Sequence, residues 1–266
     1  MILALWSSAA PAAPLVPDPV PLPPKSSPSR HHLLYHDIIV GSMVGVYLLS
    51  ETTLRPQLAP PACRWCEVPG IDSSVRHALV WGDRDQANTI SNYTGIVLPS
   101  LVPVGMVFFS GWSDISLADG IDGGLAIVEA ALASGLVTQT IKFSIGRQRP
   151  YAHYANPPLT PAIDSNDSFF SGHTSYSFSI AVASGTVASA RHYELAPAVW
   201  AVGLTLAATT GYLRIASDSH YLSDVVVGAA VGSSIGYFMP RWLHDHGRIG
   251  TRVVPAPGGI ALIGTF

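Results

Sequence analysis

Three separated stretches of the chain carry side chains suited to phosphate chemistry. They are Lys142-Phe-Ser-Ile-Gly-Arg-Gln-Arg149-Pro150, Ser171-Gly172-His173, and Arg214-Ile-Ala-Ser-Asp-Ser-His220-Tyr-Leu-Ser-Asp224. Cations can hold a dispersed negative charge, a glycine lets the backbone approach an anion, and an imidazole can attack phosphorus. This inventory is suited to breaking a phosphate ester through a phosphohistidine.

The cations of these stretches are candidate phosphate ligands. Arg149 and Arg214 can each make two parallel hydrogen bonds to a phosphate, whereas Lys142 supplies a compact charge. A single cation at the end of a membrane span usually just reaches towards the interface. Three such cations beside other motifs favour an anion site. Arg147 is either a further member of this group or a contact to a lipid headgroup.

The tripeptide Ser171-Gly172-His173 opens a long uncharged segment and therefore predicts the N-terminus of a helix. The free N–H groups at such an end attract an anion, and Gly172 leaves room for it. Ser171 can cap the helix or donate a hydrogen bond to phosphate. An ordinary serine cap followed by an interfacial histidine is the alternative for this tripeptide taken alone.

His220 and Asp224 are four residues apart, a spacing that places two side chains on one face of a helix. The carboxylate can then fix the tautomer of His220 and leave its other nitrogen free to attack phosphorus. His173 fits the general acid for the leaving oxygen. A surface pair is the commoner meaning of this spacing in isolation. Asp218 is either a second partner of His220 or a loop residue.

Composition favours a membrane protein as the scaffold for these residues. Charged residues make up 12% of the 266 residues, about half the share usual in soluble domains, and mean hydropathy is +0.34. A net charge of -3 argues against a nucleic-acid-binding protein. Six apolar segments follow one another, at 38–50, 94–111, 123–141, 174–190, 195–213 and 225–240. All but the first are about long enough to cross a hydrocarbon core of roughly 30 Å.

The last of these segments repeats a glycine at every fourth position, at Gly228, Gly232 and Gly236. In a membrane such a stripe lets two helices approach closely, whereas in water it would weaken the helix three times over. The sequence therefore predicts an all-α integral membrane bundle of about six spans. A very apolar soluble helical protein is the alternative.

Counting the crossings places the candidate residues on one side of the membrane. Successive spans run in opposite directions, so the end of the third, the start of the fourth, the end of the fifth and the start of the sixth share one face. These four places carry the motifs, which predicts an active site at that face. Lysines and arginines outside the motifs are slightly more frequent on the opposite side. That bias favours a site facing out of the cytoplasm.

The chain has two cysteines, Cys63 and Cys66, which are too few for a structural zinc site. They form either a local disulfide or two free thiols, and a disulfide would fit an oxidising compartment. Three regions are expected along the chain. Residues 1–32 form a Pro/Ala-rich arm or a signal remnant in which 1–13 are cleaved, 33–243 the helical bundle, and 244–266 a C-terminal tail.

Together the three stretches resemble the signature of the type 2 phosphatidic acid phosphatase superfamily. That signature reads Lys-x6-Arg-Pro, then Pro-Ser-Gly-His, then Ser-Arg-x5-His-x3-Asp. The order and the internal spacings agree, over about the last half of the chain. Two positions differ, because Phe170 stands where proline is usual and Leu213 where serine is usual. Leu213 removes one possible hydroxyl contact to phosphate.

The resemblance implies a helical core and a metal-free phosphohistidine mechanism. It implies His220 as the nucleophile, Asp224 as its orienting partner and His173 as the acid. The phosphate-binding residues would be Lys142, Arg149, Ser171, Gly172 and Arg214. The superfamily includes membrane lipid phosphatases, soluble periplasmic acid phosphatases and vanadate-dependent haloperoxidases, and the uncharged spans favour the first of these.

We therefore expect a metal-independent hydrolase that acts on a lipid phosphomonoester or diphosphate at the outer face of a bacterial inner membrane. Phosphatidate-like lipids, polyprenyl diphosphate and the phosphates of lipid A are candidate substrates. The expected partners are this substrate and membrane lipids, with no cofactor, no metal, no nucleic acid and no obligate protein partner. The alternatives are a soluble periplasmic acid phosphatase, a vanadate-dependent haloperoxidase, and a membrane scaffold or carrier with a relic site.

Overall fold

The computed structural model describes residues 30–110, 117–156, 162–246, 252–256 and 259–263. Residues 1–13, which the sequence allows to be a cleaved signal, lie outside the described residues. The helices are α1 (Arg30–Leu48), α2 (Arg55–Leu58), α3 (Gly70–Leu79), α4 (Arg84–Asn92), α5 (Leu98–Ser110), α6 (Leu117–Ile145), α7 (Pro150–His153), α8 (Gly172–Ala190), α9 (Ala196–Ala216) and α10 (Leu222–His246). In the tail, β1 (Arg252–Ala256) and β2 (Gly259–Ile263) form an antiparallel hairpin that pairs Arg252 with Ile263.

Within the described residues the bundle has six long helical units, which confirms the prediction of an all-α membrane fold. Four stretches in the described ranges are long and apolar enough to cross a membrane: Arg84–Phe109, Gly120–Ile145, Ala196–Ala216 and Leu222–Trp242. A shorter apolar helix spans Ile38–Thr53. The protein is therefore a membrane protein, and six is an approximate number of spans.

The second span begins earlier than its apolar residues predicted. The polar helix α4 continues into α5 through a π-helical turn at Tyr93–Val97, so one helical unit runs from Arg84 to Phe109. Because α4 is polar, the hydropathy of the sequence marked only the α5 half of this unit. The extension brings the polar residues of α4 to the same end of the bundle as the predicted motifs.

Helix α8 is the centre of the bundle and packs against α6, α9 and α10. Its interior is rich in small and hydroxyl side chains, and Ser177 and Ser179 are fully buried. Their hydroxyl groups donate to the carbonyl groups of Thr174 and Tyr176 at 3.1 and 2.9 Å, which satisfies them within the helix. A hydroxyl-rich helix can therefore lie inside a membrane bundle because its neighbours, not lipid, surround it.

The glycine stripe of α10 faces α8 at very close range. A Cβ added to Gly232 or Gly236 would overlap the carbonyl oxygen of Ser175 or Ser179, respectively. The stripe therefore brings the backbones of α8 and α10 into contact, as the small-residue spacing predicted. This contact sets the distance between the first turns of the two helices, which carry candidate site residues.

Short helices and loops cover the end of the bundle where α6 and α9 end and α8 and α10 begin. The backbone N–H groups of Trp81 and Tyr151 donate to the carbonyl groups of Ala216 and Asp218 at 3.0 Å each. The local disulfide is formed, with the Cα atoms of Cys63 and Cys66 5.6 Å apart. The loop that it closes pairs with the chain just after α6 through hydrogen bonds to Gly146.

The close contact between α8 and α10 predicts that Gly232→Ala destabilises the protein. The added methyl group must push a helix backbone aside, and overpacking of this kind typically costs about 1–3 kcal/mol. Thermal unfolding in detergent, followed by circular dichroism, measures the change in Tm. The matched control is Gly124→Ala in α6, where an added Cβ meets nothing within 4 Å. Equal Tm values for the two variants would contradict the packing described here.

Candidate active site

A cavity of about 450 Å³ lies where the motif-bearing helix ends meet. Six of the eight residues predicted from the sequence line it: Lys142, Arg149, Gly172, His173, Arg214 and His220. The other two, Ser171 and Asp224, are fully buried behind this wall. The atypical residues Phe170 and Leu213 are also buried and are not among the lining residues.

Two arginines of the cavity, Arg149 and Arg214, are positioned by neighbouring side chains but keep N–H groups that have no hydrogen-bond partner. Arg214 donates through Nη1 to the side-chain oxygens of Asn88 and Ser91, at 2.7 and 3.0 Å. Arg149 lies 3.8 Å from the carboxylate of Asp164. The Nε groups of Arg149 and Arg214 are buried without a hydrogen-bond partner. Unpaired buried donors are costly, so an anion in the cavity would be favourable.

Gly172 brings the start of α8 close to the end of α6. A Cβ at this position would lie 3.2 Å from Cγ2 of Thr138 and 3.7 Å from Nζ of Lys142. A larger residue would therefore fill the space between the helix N-terminus and the lysine. The free N–H groups of the first turn of α8 and the ammonium group can act on the same anion.

His220 is held as a neutral imidazole with a defined tautomer. Its Nδ1 lies 2.8 Å from the carbonyl oxygen of Ser168, so Nδ1 carries the proton and Nε2 keeps its lone pair. Burial lowers the pKa of His220 well below its ordinary value, and the nearby cations Arg149 and Arg214 lower it further. The second imidazole, His173, lies with Nε2 3.0 Å from Oδ1 of Asn92.

Asp224 lies near His220 but does not form the predicted direct hydrogen bond to its imidazole. Its Oδ2 is 3.7 Å from Nδ1 of His220, too long for a hydrogen bond. The carboxylate instead accepts from the hydroxyl of Ser168 at 2.6 Å and from the backbone N–H of Tyr221 at 2.9 Å. Helix α10 begins at Leu222, so His220 lies in the turn before the helix and not on its face. The same Ser168 therefore binds both residues and relates their positions.

Arg147 is neither a phosphate ligand nor a headgroup contact. It is 1% exposed and forms ion pairs with Asp72 at 2.7 Å and with Asp224 at 2.5 Å. Its guanidinium group stacks on the rings of Trp65 and Tyr221, at 4.2 and 4.4 Å from their centroids. These contacts fix Asp224 from the side opposite the cavity wall.

Asp218 and Ser171 also have roles that spacing did not determine. Asp218 is fully buried and binds Arg76 at 2.6 Å and Arg84 at 2.8 Å, so it is not a partner of His220. The Ser171 hydroxyl lies 2.9 Å from that of Thr174 and makes no capping hydrogen bond to the first turn of α8. Capping by Ser171, one of the two predicted roles, is therefore not observed.

Several residues that line the cavity or bond to its lining residues carried no motif and were not predicted. They are the polar face of α4 (Asn88, Ser91 and Asn92) and the two charged residues that follow α1 (Glu51 and Arg55). The spacing of three and four residues in α4 does indicate one helical face. That pattern is common on helix surfaces, so it could not identify these residues without the fold.

Comparisons with known proteins agree with the motifs. The family model of the PAP2 superfamily matches residues 123–248, a range that contains all three stretches and agrees with their resemblance to this superfamily. A curated relative, the lipid A 1-phosphatase of Porphyromonas gingivalis, is 28% identical over 210 residues, covering 76% of this chain and 41% of the relative. The chain therefore spans about two fifths of the length of that relative.

A solved structure is also similar. The transmembrane PAP2-type phosphatidylglycerolphosphate phosphatase from Bacillus subtilis matches with a TM-score of 0.48 at 18% sequence identity. The match covers 81% of this chain and 95% of that chain.

Replacing Arg147 should destabilise the protein strongly. Arg147→Met leaves the buried carboxylates of Asp72 and Asp224 without their cation, and breaking a buried pair in this way typically costs about 3–5 kcal/mol. The free energy of unfolding in detergent measures this loss. The control, Arg241→Met, removes an exposed arginine of α10 and should change stability by less than about 1 kcal/mol. Equal stability of Arg147→Met and the unmodified protein would exclude the structural role.

The lowered pKa of His220 predicts a pH dependence of stability. In the unfolded chain the imidazole binds a proton below about pH 6.5, whereas the folded protein holds it neutral. The contribution of neutral His220 to the free energy of unfolding is thus fully present above about pH 6.5 and is lost as the pH falls below that value. The Tm should decrease less steeply between about pH 7 and pH 5.5 in His220→Gln than in the unmodified protein. The exposed-residue control His77→Gln should retain the steep decrease, and parallel curves for all three proteins would contradict this assignment.

Proposed function

We propose that this protein is a membrane phosphatase that hydrolyses a lipid phosphomonoester or diphosphate through a phosphohistidine on His220. The observation that supports it best is a single cavity that joins cations and two imidazoles to the apolar interior of a membrane bundle. The relative from Porphyromonas gingivalis, named a lipid A 1-phosphatase, acts on a phosphorylated membrane lipid and supports the same substrate class.

In the first half of the reaction, the phosphoryl group moves from the lipid to His220. Lys142, Arg149 and Arg214 hold the phosphoryl oxygens and stabilise their charge. The lone pair of Nε2 of His220 forms a bond to phosphorus while the bond from phosphorus to the lipid oxygen breaks. The electrons of that bond remain on the lipid oxygen, which takes a proton from His173, whose imidazolium form is stabilised by the negative charge of the bound substrate. The carbonyl of Ser168 holds the Nδ1 proton and so keeps Nε2 available for attack.

In the second half, water removes the phosphoryl group from His220. His173, now neutral, accepts a proton from a water molecule as the water oxygen bonds to phosphorus. The bond between phosphorus and Nε2 breaks and its electrons return to the imidazole. Inorganic phosphate leaves, and both histidines regain their starting protonation states. Every proton transfer uses this chain's own imidazoles, so the scheme requires no metal ion.

We place the active site at the outer face of a bacterial inner membrane. The disulfide between Cys63 and Cys66 lies in the loop that covers the same end of the bundle. A disulfide persists in an oxidising compartment, and the distribution of lysine and arginine outside the motifs favours the same side. The membrane-crossing helices favour this proposal over a soluble periplasmic acid phosphatase. A vanadate-dependent haloperoxidase differs in its reaction and is separated by assaying halide oxidation with added vanadate.

The proposed intermediate predicts opposite behaviour in two histidine variants. With a lipid phosphate labelled at phosphorus, acid-labile label should remain on the protein during turnover. His220→Ala should lose both label and activity, because it lacks the attacking nitrogen. His173→Ala should be slow, by about 10²–10⁴-fold, because it lacks the acid and base. Rapid quenching and mass spectrometry of the labelled peptide measure these outcomes.

Folding and metal dependence are controlled in the same assay. Both variants should keep near-normal circular dichroism spectra, and His153→Ala, which replaces an exposed histidine outside the cavity, should keep full activity. Labelling should persist in the presence of EDTA. Full turnover by His220→Ala would remove it from the role of nucleophile. Loss of activity in EDTA, with recovery on adding a divalent ion, would contradict the metal-free scheme.

A further inference from the structure

The cavity extends beyond the residues that the proposed reaction uses, and its wall changes character along α6. From its apolar end to its charged end, α6 contributes Leu132, Gly135, Gln139 and Lys142 to the wall. At about 1.5 Å per residue, Gln139 lies about 4.5 Å along the helix from Lys142 and about 10 Å from Leu132. A lipid with its phosphate at Lys142 and its chain at Leu132 therefore places the intervening group beside Gln139.

Gln139 lies in this middle section, and one polar atom of its amide group has no hydrogen-bond partner. Its side chain is 6% exposed, and its Oε1 makes a short hydrogen bond with the hydroxyl of Ser50. Its Nε2 is buried without a hydrogen-bond partner. The Ser50 hydroxyl also lies 2.8 Å from the carbonyl of Tyr47, and it has one proton to donate. If the hydroxyl donates that proton to Tyr47, it can only accept from Gln139. The amide of Gln139 then rotates by 180°, so that Nε2 donates to Ser50 and Oε1 faces the cavity. In either orientation one polar atom of Gln139 lacks a protein partner.

The part of the wall that follows α1 carries charges that largely cancel. Arg55 binds Glu51 at 2.7 Å and Asp167 at 3.2 Å, so two carboxylates surround one guanidinium group. The Nε of Arg55 is buried without a partner, and both Glu51 and Arg55 line the cavity. Because these three side chains sum to a single negative charge, they provide no net attraction for a second phosphate. A neutral group that both donates and accepts hydrogen bonds suits the unpartnered polar atoms of Gln139 and Arg55 and the carboxylate of Glu51.

We propose that Gln139, Arg55 and Glu51 form a subsite for a neutral, hydroxyl-bearing group bonded directly to the scissile phosphate. A sugar or glycerol unit of a phosphorylated lipid has this chemistry, because each hydroxyl can accept from Gln139 or Arg55 and donate to Glu51. This subsite rests on the proposed function and narrows it to lipid phosphomonoesters with a polyhydroxy unit. Diphosphates of plain hydrocarbon chains are disfavoured.

A matched pair of substrates tests the subsite in the full-length protein in detergent. Lysophosphatidate carries a free hydroxyl on its glycerol unit, and its deoxy analogue lacks only that group. The value of kcat/KM should be about tenfold higher for lysophosphatidate, since a hydrogen bond lost in a buried site is worth about that factor. Gln139→Leu should bring this ratio close to one by lowering turnover of lysophosphatidate alone.

The control variant is Thr140→Leu, one position along α6. The Thr140 side chain is exposed and its hydroxyl donates to the carbonyl of Leu136 at 2.8 Å, away from the cavity. It should keep the substrate ratio of the unmodified protein. A ratio near one in the unmodified protein would overturn the subsite. So would an equal loss on both substrates in Gln139→Leu, which would mean contact with the phosphate or a general structural role.

Two further measurements separate the subsite from the reaction itself. A preference for farnesyl diphosphate over farnesyl phosphate that disappears in Gln139→Leu would show a second phosphate at this place and overturn the neutral subsite. Equilibrium binding of lysophosphatidate and its deoxy analogue to His220→Ala needs no turnover. A Kd ratio of about tenfold there supports the subsite and equal Kd values overturn it. Absence of phosphatase activity in the unmodified protein would instead refute the proposed function.

Discussion

The arrangement of the site depends on one buried carboxylate, that of Asp224. It accepts hydrogen bonds from Arg147, from the hydroxyl of Ser168 and from the backbone of Tyr221, and these partners stabilise its charge inside the protein. An uncompensated carboxylate at this depth would cost several kcal/mol. The start of α10, the loop before α8 and the segment after α6 must therefore stay together. Ser168 also fixes the orientation of the His220 imidazole, because its carbonyl binds Nδ1 and leaves Nε2 directed away.

A second constraint is the repulsion among the cations at the other side of His220. Their side chains share one buried cavity, where charges of one sign interact more strongly than in water. The structure orients Arg214 with the neutral oxygens of Asn88 and Ser91 instead of carboxylates. Neutral partners fix the guanidinium group without cancelling its charge. The positive field remains available to a phosphate, which is the condition for electrostatic stabilisation of a transferring phosphoryl group.

The sequence predicted which residues meet at the cavity better than it predicted how they bind one another. Local motifs and the alternating direction of the spans were enough to predict that Lys142 and Arg214 lie at the same face of the membrane. Contacts of Asp224 depend on the residue at which α10 begins, and a spacing of four cannot define that residue. The role of Arg147 depends on Asp72, which lies in α3 and belongs to no motif. Hydrogen bonds between distant segments follow from the fold, and hydropathy carries no information about them.

The hydroxyl-rich helix α8 determines where the catalytic atoms lie. The hydroxyl groups of Ser177 and Ser179 bond to carbonyl groups of α8 itself, so these residues present a small surface and need no partner on another helix. The glycines of α10 pack directly against this surface. The backbones of α8 and α10 therefore come close enough for the Ser171 N–H to donate to the carbonyl of Asp224 at 3.0 Å. Larger apolar residues at these positions would suit lipid better but would separate the two helices. The first turn of α8, with Gly172 and His173, would then move away from the turn that holds His220. Close packing of small residues in the middle of the membrane is thus a requirement of the chemistry proposed at its edge.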